Sequence, residues 1–261
     1  RARFVGKKLC ERLIEETKGL FHPEVYVSFP WLPSVETATW KFYENQVIRS
    51  MKKVEKADPE DKPAAIAAVR NARRELVKLP SWYNFTDYSQ NLVTYLGSCE
   101  EELDSDDPEL VDAYITYAEF FEEFDPEPAL RAYKKAQPYS NQSLPVKRLQ
   151  AEIEMMKFFD CDELRSSFEF ALHFFSQCGV ELEDPISTDP EPVWEFEEPY
   201  VENGQLHVTQ PYEAWLWHKE NGTLESFKSE VRKWRDQDEH WKKRHEPVDS
   251  EKIARKLNLQ I

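Results

Sequence analysis

Between Ser34 and Leu79 the apolar residues recur every three or four positions in two runs, first Trp40, Tyr43, Val47, Met51 and Val54, then Ile66, Val69, Leu76 and Leu79. That spacing lays one apolar stripe along each of two helices, with the stem of Arg73 flanking the second. Ser34 is placed to cap the first helix, and Asp61 with Pro63 to open the second, where the missing proline N–H costs nothing. Lys56 to Lys62 reads as the turn between them, so the stretch predicts a helical hairpin around which the chain is organised.

The same periodicity continues on both sides. Leu9, Leu13, Ile14, Leu20 and Phe21 predict a short amphipathic helix over 7–21, followed by an extended connector over 25–33. Pro80 to Phe85 breaks the second hairpin helix, and Tyr88, Leu92, Tyr95, Leu96, Cys99 and Leu103 mark a new helix from about Asp87. Asp107-Pro108, Asp125-Pro126 and Ser143-Leu144-Pro145 each restart the chain, the first opening a broad stripe through Leu110, Tyr114, Tyr117, Phe121 and Phe124. A helix from Asp160 to Asp162 onward should place Leu164, Phe168, Leu172 and Phe175 on one face and end at Gly179.

From Val180 the pattern changes. Pro185, Pro190, Pro192 and Pro199 alternate with acidic residues and predict an extended arm, and Asn203-Gly204 between alternating residues is a β-hairpin signal. After Asn221-Gly222, Thr223 should cap one long helix through Leu224, Phe227, Val231, Trp234 and Trp241, with Asp238 on its stripe; a last short helix follows from Ser250. The expected fold is mostly α: helical hairpins or a bundle, an extended Pro-rich acidic arm and a possible short β-hairpin. Its expected parts are a three-helix module (1–85), an aromatic-rich helical extension (86–179), the arm with the hairpin (180–222) and C-terminal amphipathic helices (223–261).

Composition narrows the function classes. Fifty acidic against 34 basic residues leave a net charge of −16, which disfavours nucleic acid as a partner and suits a basic protein surface. The stretch 98–130 holds thirteen Asp and Glu and no Lys or Arg, a solvated face or a docking face for a basic partner. Six glycines build neither GxGxxG nor GxxxxGK, so no cofactor-cradling loop is expected. Cys10, Cys99, Cys161 and Cys178 lack metal or disulfide spacing and are expected as reduced thiols. No run of eighteen apolar residues exists, so no membrane-spanning segment is expected and at most a peripheral membrane location. The start Arg1-Ala2-Arg3, without Met, suits either a mature end left by removal of an organellar presequence or a trimmed sequence.

No catalytic constellation emerges. His240 and His245 stand five apart, HExxH and GxSxG are absent, and His173 reads as a half-buried helix residue. Catalytic, cofactor-binding and metal residues are therefore all expected to be absent. The candidates for chemistry are partner anchors: Trp194, Phe196, Tyr200, Trp215 and Trp217 on the arm, expected to lie on a neighbouring subunit, and Trp234 and Trp241 on the basic C-terminal helix.

Phe4-Val5-Gly6, Glu11-Arg12-Leu13, Pro33, Ala38 to Gln46, Lys53 to Pro59 and Glu75-Leu76 with Trp82 beyond follow an order that resembles the thirteen-kilodalton accessory subunit (alpha subcomplex subunit five) of mitochondrial respiratory complex I. The resemblance covers residues 4–85, about a third of the chain, and needs a connector over 22–33 longer than that family's. It implies a three-helix module on the matrix side of the inner membrane, in a complex of the electron-transport chain, with other subunits as partners and no cofactor or catalytic residue to carry over. Leu79-Pro80 followed by Phe85 to Tyr88 is fainter in its likeness to the peripheral-stalk d subunit of mitochondrial ATP synthase. The alternatives to an accessory subunit are a helical adaptor for a basic partner and a soluble enzyme using a cleft among the helices of 108–178.

Overall fold

A computed structural model describes residues 32–79, 85–183, 186–188, 193–195 and 198–245. Ten α-helices lie among them, with a short 3₁₀ turn and a small three-stranded sheet, so the fold is mostly α as the periodicity predicts. The expected helix over 7–21, most of the connector over 25–33, the break over 80–84 and the helix after Ser250 fall outside the described residues. The described residues divide into two compact units, one of those up to 121 with 131–144, the other of 122–130 with those from 145 onward. This division falls inside the expected extension 86–179, which the sequence presents as one run of restarting helices.

In the first unit, α1 (Leu32–Val54) packs on α2 (Lys62–Val77), α2 on α3 (Phe85–Glu102) and α3 on α4 (Pro108–Phe121), so each helix rests on the next in the chain. Short turns that reverse the chain favour this arrangement. The turn runs from Glu55 to Asp61, as Lys56 to Lys62 suggested. Lys52 and Lys53 in the last turn of α1 face the negative end of its dipole. Ser34 lies inside the first turn of α1, which begins at Leu32, and Asp61 precedes α2 without a side-chain cap bond. Trp40, Val47, Leu76, Leu92, Cys99, Leu110 and Ala118 are buried, and the Tyr88 hydroxyl donates to the Val77 carbonyl at 3.1 Å. Phe124, expected on the stripe of α4, is 58% exposed, because α4 ends at Phe121.

Residues 126–136 form α5 (Pro126–Ala136). The second unit is built on α6 (Val146–Phe158), α7 (Leu164–Phe175), α8 (Pro211–Glu220) and α9 (Leu224–Arg235), around Met155, Phe159, Phe174, Phe175, Trp215, Phe227 and Val231. On α7 it is Ser167, Ala171, Phe174 and Phe175 that are buried, while Leu172 is 44% exposed. Of the expected face, Phe175 is buried and Phe168 packs against the core while Leu172 turns to water, and the ring of Phe159 packs against those of Phe170, Phe174 and Phe175. Gly179 ends the 3₁₀ turn Ser176–Cys178 at φ +78°, a region only glycine enters freely.

Both ends of the expected arm fold into this unit. Strand β1 (Val180–Leu182) pairs parallel to β5 (Gln205–Val208), and β4 (Tyr200–Glu202) pairs antiparallel to β5 across Asn203-Gly204. Both turn residues have positive φ, +52° and +81°, as a tight hairpin turn with the strands' twist requires. Period-two alternation sends Val180, Leu206 and Val208 inward, which outweighs the charge of their neighbours. Strands β2 (Ile186–Thr188) and β3 (Val193–Glu195) form a separate antiparallel pair. The C-terminal helix also differs from expectation: Asp238 breaks it into α9 and α10 (Glu239–Arg244) and accepts the Trp241 N–H at 2.7 Å as the cap of the second piece.

Candidate interaction surfaces

Arg70 and Arg74 stand one turn apart on α2, a spacing that points both side chains to one side of the helix. Arg70 pairs with Glu102 of α3 and, through Nε at 3.6 Å, with Glu109 in the first turn of α4. Arg74 reaches the other oxygen of Glu109 at 3.6 Å, and that oxygen also accepts from the Tyr95 hydroxyl at 3.1 Å. Three helices are thus tied through one carboxylate. Burial raises the Tyr95 pKa, helped by Cys99 and Glu109, and burial pushes the Cys99 thiol up to about 11.

Beside this cluster lies an open cleft of about 660 Å³ between α2 and α4. Val77, Ala113 and Ile115 are among the residues that line it, with Arg74 and Lys78 from α2 and Asp112, Thr116 and Glu119 from α4. Lys78 is drawn to Glu75 at 2.8 Å.

A second cleft, of about 300 Å³, lies between Met51 and Val54 of α1, Ile66 and Val69 of α2, and Thr94 and Ser98 of α3. Arg73 crosses it, its guanidinium 3.8 Å from the Met51 sulfur and donating to the Asn91 side-chain oxygen at 3.1 Å. Burial lowers the Arg73 pKa from its usual value. Met51 is 45% exposed; Ile48, one turn earlier on α1, is 41% exposed, and Val93, next to Thr94, 49%. Met51, a stripe position that periodicity assigns to a closed core, therefore stays open to water at the end of the hairpin.

The polar groups of the second unit serve its own packing. Glu152 is 2% exposed and takes both oxygens to Arg148 at 3.0 and 3.1 Å, while Arg148 also donates to Glu122 at 2.9 Å. Burial raises the Glu152 pKa against the opposing pull of Arg148. His173 is exposed, not half-buried, and bonds Asp238 at 2.8 Å beside a cleft of about 280 Å³ lined by Phe170, Phe174 and Trp241. Among the described residues no group of His, Cys, Asp and Glu is arranged to hold a metal ion, and no helix is long and apolar enough to cross a membrane.

The expected anchors separate. Trp215 is 1% exposed, with its indole N–H donating to Glu154 at 2.9 Å, and Trp241 is 8% exposed against Phe170. Both fill the core of their own unit, so neither presents a free ring to a partner. Trp217 and Trp234 are half-buried against that same core. Tyr200 lies on the sheet surface, stacked at 4.7 Å on His207 and donating to Glu183 at 2.8 Å. The side chain of Trp194 and the whole of Phe196 lie outside the described residues. Sequence reasoning missed Arg70, Arg74 and Glu109, although two arginines at i, i+4 on the second hairpin helix were a visible signal. It also missed Glu152, whose partner Arg148 stands four residues before it on α6.

Comparison with protein-family models, with curated proteins and with solved structures found no match to this chain.

Proposed function

We propose that this chain is a non-catalytic accessory subunit of a mitochondrial energy-transducing complex, seated on the matrix arm of respiratory complex I. The observation that carries this reading is the apolar cleft of the first unit, where Met51 remains 45% exposed beside Val54, Ile66 and Val69, with Ile48, one turn earlier on α1, exposed as well. Apolar side chains grouped at a cleft mark contact sites for other proteins. The hairpin of α1 and α2 lies in the stretch that resembles the complex I subunit, which supports the choice of complex. The internal use of the ionisable groups is also in keeping with a structural role: Glu109 and Glu152 are engaged by arginines, and the thiols of Cys99, Cys161 and Cys178 are pushed up to about 11 by burial.

The test is native electrophoresis of mild-detergent extracts of mitochondrial membranes from cells expressing the tagged chain. Co-migration with complex I, far above the chain's own 30.9 kDa, is the expected result. A free monomer recovered from the cytosol would sink the reading, and migration with ATP synthase would move the chain to the alternative complex.

A further inference from the structure

The geometry points to the α2–α4 cleft as a docking groove for an extended, lysine- or arginine-bearing segment of a partner protein. This rests on the interaction reading above and names the chemistry of one contact. Along α4 the positions Glu109, Asp112, Ala113, Thr116 and Glu119 share one face, and all five line the cleft. The opposite side of the helix is occupied by core residues Leu110, Val111, Tyr114 and Ala118. Glu109 is engaged by Arg70 and Arg74. Asp112 is exposed and has no ion pair among the described residues.

Charge decides the sign of the occupant. The lining carries Arg74 and Lys78 against Asp107, Glu109, Asp112 and Glu119, and both cations are already drawn to the carboxylates of Glu109 and Glu75. An anionic segment would meet the acidic wall of α4 inside a stretch, 98–130, that contains no Lys or Arg. A cationic segment meets Asp112 unneutralised and lays its aliphatic stems over Val77, Ala113 and Ile115. Asp112 and Glu119 are seven residues apart, about 10 Å along a helix. Cations three residues apart on an extended chain of polyproline II type, which returns to the same face every three residues, span about 9 Å.

The probe is a fluorescein-labelled peptide of Lys-Val-Ser repeats, with its Glu-Val-Ser counterpart, titrated with the full chain by fluorescence anisotropy. The lysine peptide should bind and the glutamate peptide should not. Asp112→Lys with Glu119→Lys should weaken binding by about tenfold or more, whereas the charge-matched control Asp104→Lys with Asp106→Lys, in the loop before α4, should weaken it by no more than about twofold. Equal loss in both variants would mean diffuse attraction to an acidic protein and would overturn the assignment, as would absence of binding. If the lysine variants lose helical circular dichroism, Asp112→Asn with Glu119→Gln takes their place with the same criteria. This assay needs no assembled complex, and co-migration needs no peptide, so either proposal fails by itself.

Discussion

Glu152 is the residue whose setting makes the sharpest demand. In the folded chain its carboxyl binds a proton more tightly than in the unfolded chain, because burial outweighs the pull of Arg148. The stability tied to that group is therefore present at low pH and is lost as pH rises from the ordinary carboxylate value through the raised native one. Glu152→Gln removes this titration. The difference in unfolding free energy between the Gln variant and the parent, from urea titrations, should shift in favour of Gln as pH rises through that window. A shift in the opposite direction would mean that Arg148 governs the carboxyl. Trp215 makes a second demand: its ring is buried among Phe158, Met155 and Val208 and its N–H is spent on Glu154. Trp215→Ala should cost about 3–5 kcal/mol in urea denaturation of the isolated chain. An isolated variant of undiminished stability would return Trp215 to the role of a partner anchor.

At the scale of elements, the hairpin of β4 and β5 was legible because only a few dipeptides accept positive φ at both turn positions, and Asn203-Gly204 is one. Gly204→Ala should destabilise by about 1–2 kcal/mol, read as faster hydrogen exchange at Leu206 and His207 with no change in α6. The α1–α2 hairpin was legible for a similar local reason, since two stripes and a Pro-bearing turn leave few other pairings. What β1 does was not legible, because parallel pairing of Val180 with Leu206 joins residues far apart in sequence and leaves no local signal. Four intervening prolines suggested an arm where the chain instead makes an excursion and returns. The break before α10 was misread because an acidic residue can be tolerated on a helix stripe, yet Asp238 serves better as a cap that also holds His173. Asp238→Ala should cost about 1 kcal/mol for the cap, and limited trypsin digestion should then cut sooner after Lys242 and Lys243.

At the scale of the molecule, the two units each close a core from their own residues, and the segment 122–130 belongs to the second although α4 before it belongs to the first. Sequence periodicity supplies helices but not their grouping, which is why the boundary was placed elsewhere. The clefts were hidden for the same reason: Met51 and Ile66 sit on stripes that predict burial, and only the packing of three helices reveals that their common end stays open. The acidic stretch 98–130 could be seen in the sequence, but not that Asp112 and Glu119 face a cleft while Glu100 and Glu102 are neutralised by Lys135 and Arg70. The central claim is that the open cleft of the first unit is a subunit contact. Its most direct test is native electrophoresis of the Ile48→Asp, Met51→Asp double variant, both sites being exposed in the isolated chain. The account predicts unchanged helical circular dichroism and melting, with loss of most of the chain from the large complex. Undiminished co-migration of the folded double variant would contradict it.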